Sequence, residues 1–297
     1  MHNMISVIIP TYNRGCELLS CLDRLNKQTN VDFEVIIVDD SSDIEVTLNE
    51  AIYKFRVVLH RNNKNEGASY SRNLGVSLST GKWILFLDDD DLFMCDKVEI
   101  VLNEINNNPQ ADFLYHNAFI NMVNENVRYI TSVKPRFDLN IDDLLYNNYI
   151  GGAPVFVIKR DIFLNVGGFD TALPAIEDYE LLLRLALFNP KVNLCFIDKV
   201  LTECFYYTKR VSVSKNICAL NKAIDVIRSK HVTHNTAKRF LLNASVMLAH
   251  SHLMNLNRIC AFYYFKAFVV KRDMKFLFAS IISSISPSLL IRLRAKV

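Results

Sequence analysis

The first hundred residues alternate short apolar runs with longer segments of helical period. Ile5–Ile9, Phe33–Val38, Arg56–His60 and Trp83–Leu87 read as strands, and the stretches around Leu18–Leu25, Val46–Tyr53 and Ala68–Leu78 read as helices. Alternation of this kind builds a parallel sheet from right-handed βαβ units. Further along, the pattern predicts a helix from Asp96 to about Asn107, strands at Phe113–His116, Arg128–Thr131 and Val155–Ile158, and a turn at Val166–Asp170. Glu177-Asp178 precede a Leu/Arg-rich helix, where acids in the first turn suit the helix dipole. From about Ile217 the period is helical to the end, with no further strand predicted.

A parallel sheet binds ligands beyond the carboxyl ends of its strands, so the polar residues just after each strand matter most. These are Thr11-Tyr12-Asn13 after the first, Asp39-Asp40-Ser41 after the second, and Asp88-Asp89-Asp90-Asp91 after Trp83–Leu87. Four carboxylates delivered to one sheet edge repel unless a cation lies among them. Asp-x-Asp spacing holds a hard divalent ion while leaving coordination positions for phosphate oxygens; the bland alternative is a solvated acidic turn.

Composition narrows the class. The 297 residues are 51% hydrophobic and 22% charged, enough for one large α/β domain with an appendage. Seven scattered cysteines without a Cys-x-x-Cys pair argue against a disulfide framework or a zinc cage and fit a reducing cytoplasm. The run Ile5–Ile9, cut off by Pro10, is too short for a signal-peptide core. His231/His234 and His250/His252 lack metal-site spacing, and neither a Gly-x-Gly-x-x-Gly nor a P-loop is present.

Net charge is +3, but the chain from Lys238 onward carries ten Lys/Arg against the single acid Asp273, leaving the first 237 residues at −6. A basic tail rich in Phe, Leu and Ile on an acidic body predicts amphipathic helices over about 257–296 that lie on an anionic membrane surface. The Phe and Tyr near 262–268 read as core or lipid-facing anchors rather than base-stacking platforms, so no nucleic-acid partner is expected.

Four elements in order carry a resemblance: Ile5-Ser6-Val7-Ile8-Ile9-Pro10-Thr11-Tyr12-Asn13-Arg14, Val35-Ile36-Ile37-Val38-Asp39-Asp40-Ser41-Ser42, the Asp88–Asp91 run with its strand, and Glu177-Asp178 leading a helix. Together with Asn65-Glu66-Gly67, Ser71-Arg72-Asn73 and Val166-Gly167-Gly168-Phe169-Asp170, they resemble the family 2 inverting glycosyltransferases of the GT-A fold, bacterial polysaccharide-building enzymes, over about residues 3–205. The resemblance implies an α/β, Rossmann-like, mostly parallel sheet flanked by helices. The expected division is a nucleotide-sugar-binding and catalytic domain over 1–212 and a helical, membrane-surface region over 213–297.

It further implies a UDP-sugar donor, Mn2+ or Mg2+ as cofactor, and a polyprenyl-diphosphate-linked saccharide acceptor, at the inner face of the cytoplasmic membrane. On this reading Asp90 is the metal ligand, and Asp88 or Asp89 sits at the ribose or bridges through water. Asp40 reads the uracil, while Tyr12 or Pro10, beside Thr11, packs on the base. Arg72 neutralises phosphate or braces Asp40, unless it is a surface helix arginine. Asp178 is the catalytic base, and Glu177 raises its pKa by like-charge proximity. Gly151-Gly152 either let backbone approach the acceptor or form a turn, and Asp91 caps the next segment. Competing readings are a nucleotidyltransferase, which usually carries a Gly-rich N-terminal loop absent here, and an inactive membrane-associated scaffold.

Overall fold

A computed structural model describes residues 4–188, 192–210 and 215–294. The chain opens as β1 (Ile5–Thr11), α1 (Gly15–Leu25), β2 (Phe33–Asp39), β3 (Arg56–Arg61), α2 (Ala68–Leu78), β4 (Trp83–Phe86), the short β5 (Leu92–Phe93) and α3 (Lys97–Asn107). It continues through β6 (Phe113–Met122), β7 (Val127–Ile130), α4 (Ile141–Tyr146), β8 (Phe156–Lys159), α5 (Arg160–Asn165), α6 (Glu177–Phe188) and β9 (Leu194–Tyr206). Five helices follow: α7 (Ile217–His231), α8 (Ala237–Met254), α9 (Cys260–Lys271), α10 (Met274–Ile285) and α11 (Pro287–Arg294).

One nine-stranded sheet has the order β3-β2-β1-β4-β8-β6-β9-β5, with β7 on the flank of β6. Its first four strands are parallel, β8 reverses, and β6 and β9 run parallel to each other again. Side chains alternate across the pleat, so Ile8, Ile36, Ile84 and Phe86 join one apolar core while Val7, Ile9, Val35, Ile37 and Leu85 join the other. Burial on both faces is why these strands read as continuous apolar runs. Helix α2 lies tightly on β1 at Gly75, where a Cβ would stand 2.5 Å from Ile8 Cγ2. The core beneath β6 and β8 also takes in Leu220 and Ile224 of α7 and Phe240 of α8, whereas α9–α11 gather around a separate cluster with Met122.

Two expectations need correction. The helix over Val46–Tyr53 is a loop carrying a single 3-10 turn at Glu50–Ile52, because the Asn49 side chain accepts from the Ala51 amide and closes the turn there. After α6 the long strand β9 appears where no element was predicted; Asp198, Lys199 and Glu203 interrupt its apolar pattern, and its register against β6 shifts at His116–Ala118. The expected domain boundary at 212–213 lies outside the described residues. Among the described residues, no helix is long and apolar enough to cross a membrane.

Candidate active site

The carboxyl ends of β1, β2 and β4 lie side by side, and their following loops are locked together. Asn13 and Ser41, just after β1 and β2, both adopt left-handed backbone with φ of 54° and 66°. The Asn13 amide donates to Ser42 Oγ, and its side-chain oxygen accepts from the Asp43 amide. This leaves Tyr12 43% exposed at the sheet edge, while Pro10 is buried inside β1 opposite Val38. Thr11 is buried as well and donates from Oγ1 to Asp89 Oδ2 at 2.7 Å.

The aspartate run turns back on itself, the Asp91 amide donating to the Asp88 carbonyl at 3.0 Å. The Arg14 guanidinium sits between two of these acids, 2.9 Å from Asp89 Oδ1 and 2.7 Å from Asp90 Oδ2. Burial pushes Asp89 up to about 6 despite Arg14, and burial raises Asp90 too. Arg210 stands 4.0 Å from the same Asp90 oxygen. Asp91 does not cap the next segment. It is buried, accepts from the Phe205 amide of β9 at 3.0 Å, and so fixes the turn to the sheet.

Asp40 is 4% exposed and accepts three hydrogen bonds from within the chain. Its oxygens accept from the Asn62 side chain at 2.7 Å, the Glu66 amide at 2.9 Å and the Gly67 amide at 2.7 Å. Asn62 also donates to Ser71 Oγ, which ties this loop to the start of α2. Gly67 supplies the bend with φ of 88°.

Arg72, the next residue of α2, does not touch Asp40. It is a buried fork between two distant acids, with one nitrogen 2.6 Å from Asp88 Oδ1 and another 2.7 Å from Glu177 Oε1. Burial pulls against its charge, but Asp88 and Glu177 hold it cationic. Its Nε is buried with no hydrogen-bond partner among the described residues. The reading of Arg72 as a surface helix arginine is therefore removed.

Glu177 and Asp178 begin α6 immediately after Ile176, whose φ of 53° is a strained value for a β-branched residue. Asp178 accepts from the Tyr179 amide at 2.7 Å and the Ala153 amide at 3.3 Å. Burial, reinforced by the charge of Glu177, pushes its carboxyl up to about 7. Gly151, at φ of 117°, and Gly152 form the wall behind it, and a Cβ at Gly152 would lie 2.9 Å from Asp178 Oδ2. These glycines make a turn that brings backbone against the acid.

The arrangement joins two acidic groups through one guanidinium. On one side are Asp88, Asp89 and Asp90, and on the other Glu177 and Asp178. Among the described residues, no three acidic, histidine or cysteine side chains by themselves form a metal-holding set. The oxygen donors nevertheless fit a hard divalent ion completed by ligand oxygens: Asp89 and Asp90 already share a cation in Arg14, and Asp90 keeps 20% of its side chain exposed. The role of Arg14 is not evident from the sequence alone. The signal was its place three residues beyond Thr11 at the end of β1, on the edge that receives the aspartate run.

This is the fold and edge chemistry of a sugar-transferring α/β enzyme. Residues 6–167 match the family model described as glycosyl transferase family 2. A relative from Haemophilus influenzae, described as an uncharacterized glycosyltransferase, is 44% identical over 292 residues, covering 98% of this chain and 99% of its own. The chain belongs to glycosyl transferase family 2. Among solved structures, Staphylococcus aureus TarS 1-349 in complex with UDP shares the fold with a TM-score of 0.57 at 17% identity, over 90% of this chain and 89% of that one. The Pyrobaculum calidifontis mannosyltransferase PcManGT, in complex with GDP-Man and Mn2+, does so with a TM-score of 0.57 at 13% identity, over 98% and 86%.

Proposed function

We propose that the chain moves a hexose, glucose or galactose, from a UDP-sugar to a hydroxyl of a polyprenyl-diphosphate-linked saccharide by single displacement. On this reading the product belongs to an O-antigen- or capsule-type polysaccharide, assembled at the inner face of the cytoplasmic membrane. The observation that carries the reaction type is the Arg72 fork: one buried guanidinium 2.6 Å from Asp88 and 2.7 Å from Glu177 sets the leaving-group side and the acceptor side of the cleft at a fixed separation.

The exposed ring of Tyr12 offers a face to the uracil, and Asp40 holds the loop at its edge while keeping a lone pair for the base N–H. Asp88 or Asp89 takes the ribose, and Thr11 orients Asp89. Asp90 would hold Mn2+ or Mg2+, which supplies positive charge at the diphosphate. Arg72 adds its own charge there, its unpartnered Nε being a donor still to be satisfied.

Asp178, with its carboxyl at about 7, is poised to take a proton near neutral pH. As the acceptor oxygen bonds to the anomeric carbon, its proton passes to Asp178 and the bond to the phosphate oxygen breaks, releasing UDP. Attack opposite the leaving group inverts the centre, so an α-linked donor gives a β product. The UDP on TarS and the GDP-Man with Mn2+ on PcManGT support a nucleotide-sugar donor and a metal. The test is NMR of the product: an anomeric coupling of a β linkage is expected, and an α linkage from an α donor overturns single displacement.

A further inference from the structure

Helix α10 carries large apolar residues on its outer face as well as its inner one. Its fully buried residues are small, Ala279 and Ser283, and Phe276 and Ile282 pack half-buried against the α9–α11 cluster, whereas Met274, Phe278, Ile281 and Ile285 are 50%, 58%, 50% and 65% exposed. Their spacing of four, three and four puts all four on one solvent-facing stripe. A helix packed on a water-soluble body normally keeps its outer face polar. On the neighbouring α9, Phe262 and Phe265 are likewise exposed. A contiguous apolar face of this kind marks a surface that something covers.

Charge identifies the cover. Residues 258–294 hold seven Lys/Arg against one acid, and all seven basic residues are exposed. At the C-terminal end of α9 a cavity of about 310 Å³ is lined by Lys238, Arg239 and Lys271 with Tyr146, Leu242 and Val270. Arg239 has Asp142 at 3.0 Å and Lys271 has Asp273 at 3.5 Å, but Lys238 has no ion-pair partner among the described residues. Lys271 joins the two features, since it lines the cavity and lies three residues before Met274.

We propose that α9–α11 dock on an anionic lipid bilayer, the α10 stripe entering the boundary between headgroups and acyl chains and the cavity receiving a lipid phosphate at Lys238, Arg239 and Lys271. Apolar area and cationic flanks on one surface are what interfacial helices use, and each basic residue near an anionic leaflet contributes about fivefold to partitioning. A second copy of the chain would cover the apolar stripe but would bring the basic residues against their own kind. This docking deepens the membrane part of the proposed function and does not rest on the transfer chemistry.

The test is flotation of the full chain with vesicles of phosphatidylcholine alone or mixed with phosphatidylglycerol, with UDP-sugar hydrolysis and oligomeric state measured on the same samples. Wild-type protein is expected to float with the anionic vesicles. The double variant Phe278→Asp/Ile281→Asp is expected to remain with the soluble fraction, and Lys238→Gln/Arg239→Gln to lose roughly 25-fold in partitioning. All four positions are exposed, so a melting curve that matches wild type shows the variants folded. The proposal is overturned if wild type ignores both vesicle types, if it binds them equally, or if Phe278→Asp/Ile281→Asp only splits a dimer without changing flotation. Hydrolysis without flotation sinks the docking alone, and flotation without hydrolysis sinks the transfer reading alone.

Discussion

Replacing Asp178 by Asn separates what this carboxylate does for chemistry from what it costs the fold. Its carboxyl lies at about 7 in the folded chain against 3.8 ordinarily, first because of burial and then because of Glu177. Below the ordinary value both folded and unfolded states hold the proton, and the carboxyl carries no penalty. As pH rises toward 7 the unfolded state loses the proton while the folded state retains it, so stability falls with pH across this window. The rise from 3.8 to about 7 corresponds to a ceiling of about 4 kcal/mol, and because the Asp178 side chain is half-buried rather than sealed off, the expected penalty is about 2 kcal/mol at about pH 8.

The amide keeps one acceptor oxygen, so one of the contacts to the Tyr179 and Ala153 amides is lost. That loss, about 1 kcal/mol, is the same at every pH. Urea unfolding of both proteins at about pH 4 and about pH 8 therefore gives a difference of differences that isolates the charge. We expect Asp178→Asn to be less stable than wild type at the lower pH, to gain on it by about 2 kcal/mol at the higher one, and to have lost transfer throughout. A stability difference independent of pH would refute the buried, like-charge account of Asp178, and undiminished turnover would remove it as the base.

Other substitutions probe the rest of the site. Arg72→Lys puts a single ammonium where a fork spans Asp88 and Glu177, and kcat is expected to fall by about one to two orders of magnitude with UDP affinity less affected, read by steady-state kinetics. Gly152→Ala places a methyl 2.9 Å from Asp178 Oδ2, so turnover should drop about tenfold or more while UDP binding, followed by calorimetry, stays at the wild-type level. Arg14→Ala leaves Asp89 and Asp90 without their shared cation and should lower stability by roughly 1–3 kcal/mol in EDTA, with a thermal melt showing recovery on adding Mn2+.

The parallel half of the sheet was legible because β1, β2 and β4 are buried on both faces and their apolar runs have no competing period. The loop at 46–53 misled because Leu48, Ala51 and Ile52 fall at helical spacing, while the Asn49 side chain is engaged in a local turn. Strand β9 was hidden because a bulged partner of β6 has no regular alternation to detect. The aspartate run stood out as charge at a strand end. The pairing of Arg14 with Asp89, and of Arg72 with Glu177, spans 75 and 105 residues and exists only once the sheet has closed. Asp91 reads from the sequence as a cap of the next segment, and only its burial against the Phe205 amide shows it to be a brace.

Calorimetric titration of UDP, with and without Mn2+, into wild type, Asp90→Asn and Asp178→Asn tests most directly whether the strand-end acids hold a metal-bound nucleotide while the acid of α6 works on the acceptor. The account predicts Mn2+-dependent binding to wild type, loss of that dependence in Asp90→Asn, and wild-type affinity in Asp178→Asn. UDP binding indifferent to Mn2+ in wild type, or abolished by Asp178→Asn, would contradict it.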